Sequence, residues 1–344
     1  MDSDSNDNPS EARNDIFILP DVLLVRILSE LSWEDILKLK LVSRSFYNFI
    51  HENYHQLNRR EVSKVNILHD VDSKGCLCKV DLNFTNIQNN ERTNYPYGKS
   101  IDVGSSEELS RLLKIYDMRD LDYLSMAARD NIDIFGIINR SFQEGTKIGD
   151  LVIYELSEKN FTSFQTFINK LLLVKDFSIL NICCHSTESK DVNPVSFLQS
   201  FNITRSLLIY ECNETRILTS DIVDNFLRKN PSVQRLTIGS GNSEFIRNLF
   251  KEDFALDQPH KMENKLWCSK ISLQFFGNEY KQLSRILMND LYERENVQKV
   301  ISIQNFPENS EIESVINCRH CPKDKHKIEI NVSLMGVFLN TCDR

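Results

Sequence analysis

Glycine is scarce in this chain, at 10 of 344 residues against a usual share of about 7%. Loops that cradle phosphate rely on the backbone freedom of glycine, so the scarcity counts against nucleotide-binding enzymes. Long apolar runs are absent too. None approaches the roughly 20 residues that cross a bilayer as a helix. The first residues lack a basic segment followed by an apolar one, so no secretory signal is expected. There is no His-Glu-x-x-His, no Gly-x-Ser-x-Gly and no Gly-x-x-x-x-Gly-Lys-Ser/Thr, which excludes the common zinc-peptidase, serine-hydrolase and P-loop signatures. Carboxylates are plentiful and seven histidines are present, but no local cluster resembles an acid–base pair, and no catalytic residue is expected. Basic charge is not in excess. The net charge is −8, of which Asp2, Asp4, Asp7, Glu11 and Asp15 against Arg13 supply −4. No nucleic-acid face and no membrane contact are expected.

The nine cysteines are odd in number and scattered. In a chain expected in the cytoplasm or nucleus they should be reduced thiols. Six Asn-x-Ser/Thr matches, such as those at Asn83 and Asn202, are then chance. Cys318 and Cys321 form a Cys-x-x-Cys step with His320 and His326 nearby. A structural zinc needs four ligands, usually as two such pairs. Cys76 and Cys78 are separated by one residue and Cys183 and Cys184 are adjacent, so no second pair exists. The step reads as a polar loop, and neither a metal nor a cofactor is expected.

What is present divides the chain in three. Residues 1–15 are polar and acidic and are expected to be a disordered tail. Residues 16–60 hold the densest pattern, FILPDVLLVRILSELSWEDILKLKLVSRSFYNFI. Pro20 opens a helical pattern with Leu23, Leu24, Ile27, Leu28 and Leu31 on one stripe. Ser32 reads as an N-cap with Asp35 at its third position, a capping box with Asp in place of Glu. A second short helix carries Ile36, Leu37 and Leu39, and a third carries Leu41, Val42, Phe46, Phe49 and Ile50. Helices this short have too little interior to bury so many apolar side chains in one another. The surplus needs a partner, either the rest of the chain or a groove on another protein.

Leu19-Pro20, Val22-Leu23, Ile27-Leu28, Leu31, Asp35-Ile36-Leu37 and Leu41-Val42-Ser43-Arg44-Ser45-Phe46 together resemble an F-box. Family members usually carry Trp where this chain has Phe46, which keeps the aromatic anchor. The resemblance implies docking on the Skp adaptor, and through it on a cullin, as in SCF-type ubiquitin ligases. It implies an adaptor-binding set of Leu19, Pro20, Leu23, Ile27, Leu28, Leu31, Ile36, Leu37, Leu41, Val42 and Phe46.

Residues 61–344 read as a second domain. Val65-Asn66-Ile67, Val80-Asp81-Leu82 and Ile101-Asp102-Val103 alternate as strands do, with a polar loop over 88–99. A helix follows with Leu109, Leu112, Leu113 and Tyr116 on one face. Residues 117–147 give no clear pattern. From Leu151 an apolar-x-apolar step recurs: Leu151/Ile153, Leu180/Ile182, Leu207/Ile209, Leu236/Ile238, Ile271/Leu273, Ile301/Ile303 and Ile328/Ile330. The steps lie 29, 27, 29, 35, 30 and 27 residues apart. Helical patterns fill most gaps, at 161–174, 194–201, 220–229, 243–250 and 279–294, with a weak one at 312–316. Strand and helix alternating near thirty residues signals stacked repeats or βαβ units.

The period is similar to that of a degenerate leucine-rich repeat, and Leu207 to Cys212 carries its Leu-x-Leu-x-x-Cys core in full. The other repeats lack the Asn or Cys of that core, having Gly241, Phe276, Phe306 or Ser333 there. The expected fold class is α/β: a three-helix F-box followed by a leucine-rich-repeat-like solenoid, with a doubly wound parallel sheet as the alternative. Side chains alternate along a strand, so the solenoid reading turns Tyr154, Asn181, Cys183, Tyr210, Thr237, Ser272, Gln274, Ser302, Gln304, Glu329 and Asn331 to the other sheet face. Tyr154, Asn181, Tyr210, Gln274, Gln304 and Asn331 are the candidates for holding a protein target. The function expected is a non-catalytic substrate-recognition subunit of a cullin ubiquitin ligase. The alternative is a stand-alone binding solenoid whose apolar end the N-terminal helices cap.

Overall fold

The computed structural model describes residues 16–68, 76–84, 87–88, 91–92, 97–128, 132–183, 202–212, 215–230, 232–250, 267–293, 297–306, 309–317 and 327–335. The 1–15 tail, the helix expected at 194–201 and the Cys318–His326 loop lie outside these residues. The chain divides into two compact units. One is Met1–Arg60 with Lys114–Asp117, the other Glu61–Leu113 with Met118–Arg344. The short segment Lys114–Asp117 belongs to the first unit despite its distance in sequence, which no local pattern announces.

In the first unit α1 spans Asp21–Ser29, α2 Trp33–Lys40 and α3 Arg44–Asn53. Pro20 occupies the N-cap of α1. Ser32 caps α2 as expected, accepting from the Asp35 N–H at 3.2 Å, while its hydroxyl donates to the Asp35 carboxylate at 2.8 Å in place of the backbone N–H bond of a full capping box. Ser43 caps α3 by accepting from the Phe46 N–H. That cap places Leu41 and Val42 in the connection ahead of α3, not on it. Asn58 donates to the carbonyls of Ser29 and Leu31, which closes the open end of α1. The core is Leu24, Leu28, Ile36, Phe49, Ile50 and Leu57, with Phe17, Leu31, Leu39, Phe46 and Tyr54 packed around it. Phe17 lies 4.9 Å from Phe46, centroid to centroid.

The second unit is built on one mixed sheet whose path runs through twelve strands. These are β1 Arg60–Leu68, β2 Cys78–Phe84, β3 Tyr97–Val103, β4 Asp120–Ala128, β5 Thr146–Ser157, β6 Leu171–Cys183, β7 Ile203–Glu211, β8 Arg235–Ser240, β9 Trp267–Phe276, β10 Val297–Phe306, β11 Asn309–Asn317 and β12 Lys327–Met335. The order is β10-β11-β12-β9-β8-β7-β6-β5-β4-β1-β2-β3. From β1 through β4 to β9 and on to β12 every pairing is parallel. Antiparallel strands close both ends. From β4 to β9 spatial order follows chain order, without the reversal that a doubly wound sheet requires.

The parallel register aligns two apolar rungs. One runs Val65, Leu124, Leu151, Phe177, Leu207, Leu236, Ile271, Ile330, and the other Ile67, Met126, Ile153, Ile179, Ile209, Ile238, Leu273, Val332. All are buried. A third apolar position three residues earlier is buried as well, at Val62, Leu121, Ile148, Val174 and Val233.

Helices pack on the rung side. Phe164 of α6 (Phe161–Asn169) stacks on Phe177 at 6.3 Å. Val223 and Phe226 of α7 (Ser220–Lys229) line a small apolar cavity with Leu207, Ile209, Leu236 and Ile238. The other helices are α4 (Ser106–Lys114), α5 (Ile134–Ile138), α8 (Ser243–Asn248) and α9 (Tyr280–Tyr292).

Four expectations are corrected here. The aligned pair in β6 is Phe177/Ile179, not Leu180/Ile182. A slip of three residues reverses which face each side chain takes, so Asn181 and Cys183 leave the polar face. In β12 the pair is Ile330/Val332, not Ile328/Ile330; that slip of two keeps the face. Ile301/Ile303 lies in β10, an antiparallel partner of β11, and its spacing from the other steps is coincidental. Residues 312–316 form part of strand β11, not a helix. The repeat also begins earlier than the sequence steps, because β1 and β4 already carry both rungs.

Cys183 is disulfide-bonded, so the expectation of thiols throughout fails there. Cys76, Cys78 and Cys212 carry free thiols, and burial pushes the Cys78 thiol up to about 12.

Candidate functional site

The first unit carries an apolar surface that its own core leaves uncovered. The stripe read as one on α1 is two. Leu24 and Leu28 point inward, while Leu23 and Ile27, each offset by one residue and about 100° around the helix, are 46% and 47% exposed. Leu41 and Val42 in the capped connection are 87% and 66% exposed. Leu19, Pro20 and Leu37 are exposed beside them. Leu28 and Ile36 are buried, and Leu31 and Phe46 are half-buried against the core. Seven of the eleven residues in the expected adaptor-binding set therefore stand on the surface, and the other four build the fold beneath it.

Sequence reading missed Ile16, Ile18, Val22 and Tyr47, which are also exposed large apolar side chains. Their signal was available at Ile18 and Val22, which stand four residues apart on either side of Pro20 and Asp21. It was masked because apolar spacing alone does not say which members face inward.

Polar features border this surface. Asp35 and Lys38 pair at 2.9 Å. The hydrogen bond from Lys38, then that from the Ser32 hydroxyl, holds the Asp35 carboxyl below its ordinary range. Lys40 lies 3.9 Å above the Tyr54 ring, and burial lowers its pKa. Tyr47 stacks on His51 at 6.1 Å. Inside the unit, Arg59 and Asp117 approach to 3.9 Å with side chains 5% and 10% exposed, and Arg59 donates to the Lys114 carbonyl. An apolar face on a small helical unit, with a capped helix start beside it, is suited to receiving another protein's apolar groove.

Residues 16–60 match the family model described as F-box-like. This segment is an F-box-like domain. The match covers the three helices and stops where β1 begins. No curated protein is similar to the chain.

The second candidate surface is the sheet face opposite the rungs. Tyr154 is exposed there, and Tyr210, Thr237, Ser272, Gln274 and Asn331 are half-exposed. Asn181 is buried, with an Oδ1 that accepts no hydrogen bond. The side chains of Ser302, Gln304 and Glu329 lie outside the described residues. Correct register adds Asp150, Val152, Asp176, Ser178, Leu180, Ser206 and Leu208 to the face.

Among the described residues no three His, Cys, Asp or Glu side chains gather as a metal site, and no helix is long and apolar enough to cross a membrane. Among the described residues Glu211 is the most deeply buried carboxylate, and its role is structural. Glu211 sits in line with Leu156 and Ile182 and accepts from the Ser240 hydroxyl and from the N–H groups of Ile217 and Leu218. Burial raises its pKa, against the opposing pull of those three donors and Arg216. It fastens the loop ahead of α7 to the sheet.

Proposed function

We propose that this protein is a substrate-recognition subunit of an SCF-type cullin ubiquitin ligase. The F-box-like domain docks on the Skp adaptor through Leu19, Pro20, Leu23, Ile27, Leu37, Leu41 and Val42. Leu28, Leu31, Ile36 and Phe46 hold those side chains in place. The observation that carries this reading is the coincidence of an F-box-like match with an uncovered apolar face on the same residues. The sheet unit holds a protein target. Its chain-order parallel strands, two rungs and added buried apolar position three residues earlier support a leucine-rich-repeat-like fold, whose rung-free face is free to bind. Catalysis belongs to other subunits. This chain contributes proximity, raising the effective concentration of a target lysine near a ubiquitin-loaded enzyme. Such a subunit works in the cytoplasm or nucleus.

Co-purification with the Skp adaptor tests this. Intact protein should capture it stoichiometrically, and the variant Leu41→Glu with Val42→Glu should lose it while circular dichroism stays unchanged. Both residues are largely exposed, so their substitution should spare the fold. Failure of the well-folded intact chain to capture the adaptor would refute the ligase reading.

A further inference from the structure

The rung-free face of the sheet has an apolar centre that polarity patterning alone does not suggest. Ile153, Ile179 and Ile209 are in register across β5, β6 and β7. Tyr154 and Leu180, which follow Ile153 and Ile179, are neighbours on the opposite face, and Tyr210 follows Ile209 on the next strand, where the register with β6 shifts by one residue. Val152 and Leu208 flank Ser178 one step earlier on the same strands. All five are partly exposed, and Tyr154 is 39% exposed. With strands about 4.8 Å apart, the row is about 10 Å wide, the breadth of one large side chain.

Its two aromatic ends are held in place. Tyr154 shares side-chain hydrogen bonds with Tyr123 and Ser125, and the Ser125 hydroxyl in turn donates to Asn66. Tyr210 is hydrogen-bonded to Gln274 and meets Phe276 edge-on at 5.7 Å. Gly239 makes that meeting possible: a Cβ there would come within 2.6 Å of the Tyr210 ring and 2.7 Å of Phe276. Rigid aromatic anchors with a polar surround are the usual composition of a binding hot spot.

Charge selects the occupant. In the row below, Asp150 and Asp176 are neighbours and share one guanidinium. Arg205 donates to Asp176 at 2.7 Å and its Nη2 lies 3.6 Å from Asp150. Two carboxylates against one cation leave a negative charge directly under the apolar row, and the Asp150 side chain is 47% exposed. The other bases of that row stand outside the acid pair: Lys64 on β1 beside Tyr123, Arg235 on β8 beside Ser206, and Lys270 on β9 one strand further from the acids. A cation entering beside Asp150 would meet the carboxylate and its register neighbour Tyr123, whose aromatic ring can attract it further.

We propose that this patch seats a segment of a target protein in which a large apolar side chain stands next to a Lys or Arg. The apolar side chain lies on Tyr154, Leu180 and Tyr210, and the base reaches Asp150. The proposal rests on the reading that the sheet unit holds a protein target.

The test uses the full chain and an array of synthetic peptides carrying Leu or Phe next to Arg, next to Glu, or next to phosphoserine. Adaptor capture is measured on the same preparations. The Arg-flanked peptides should be retained. Leu180→Asp and Asp150→Lys should each weaken them about tenfold or more, and Asp150→Lys should turn the preference toward Glu-flanked peptides. Adaptor capture and circular dichroism should stay unchanged. Retention of acidic or phosphorylated peptides by the intact chain, retention of the Arg-flanked peptides by either variant as strong as by the intact chain, or no retention of any peptide would overturn the proposal. Loss of adaptor capture with peptide selectivity intact would instead refute only the ligase role.

Discussion

In the sheet unit, Val65, Leu124, Leu151 and their register partners are all 4% exposed or less; in the helical unit, Ile18, Val22, Leu41 and Val42 are 66% exposed or more. The residue types are the same. The difference lies in how much interior each architecture offers. Parallel strands stacked in register give every rung residue two lateral neighbours and a layer of helices. Three helices of ten residues or fewer close over six core side chains and have no volume for the rest. Exposed apolar surface is therefore informative in the first unit, where it carries the proposed docking face. On the polar face of the second, the sparse apolar row at Tyr154, Leu180 and Tyr210 stands out for the same reason.

The largest expected effect sharpens this contrast. Leu151→Ala, within the rung, should destabilise the protein by about 2–5 kcal/mol in urea unfolding. Val42→Ala should change stability by less than about 0.5 kcal/mol. Equal losses would break the distinction between rung and docking face.

Next comes Glu211. Glu211→Ala strips three donors of their acceptor and should cost about 3 kcal/mol. The carboxyl also carries a pH signature. Its unfolded form ionises near its ordinary value of 4.5, and the folded form ionises higher. The folded state therefore holds the proton in that window, and the contribution of Glu211 to stability is greatest below pH 4.5 and falls as pH rises through the folded pKa. The urea midpoint of the intact protein should fall over that range more than that of Glu211→Gln. Parallel pH profiles would show that Glu211 is not the group responsible.

A smaller loss is expected at the helix cap of the docking unit. Ser43→Ala removes the acceptor for the Phe46 N–H and should cost about 1 kcal/mol, and it should also weaken adaptor capture by loosening the Leu41–Val42 connection. Wild-type capture would separate that connection from the docking face. The smallest effect belongs to Lys38→Ala. Its pair with Asp35 is largely exposed, and the thermal midpoint of the variant should match that of the intact protein, because exposed pairs add little.

Local pattern made some of this legible. The Ser32 cap, the helix starts, and the rung pairs of β5, β7, β8 and β9 follow from neighbours within a few residues, and each appears in the structure as read. The misread positions share another cause. Leu180/Ile182 and Phe177/Ile179 are equally good apolar steps within β6, and only pairing with Ile153 and Ile209 chooses between them. On α1, Leu23 and Leu24 are chemically alike, and only the approach of Ile36 and Phe49 decides which is core. Glu211 looked like a surface charge because an acid's burial depends on donors six and twenty-nine residues away.

By itself, then, the sequence determined where strands and helices alternate and how the short helices begin, since these rest on local periodicity and capping, and its motif spacing over residues 16–60 carried the resemblance to an F-box. Tertiary structure alone decided the register of the rungs, which of two adjacent leucines is buried, the membership of Lys114–Asp117 in the first unit, and the gathering of Tyr154, Leu180 and Tyr210 over Asp150. Each of these depends on contacts between residues far apart in the chain, and no local pattern carries that information.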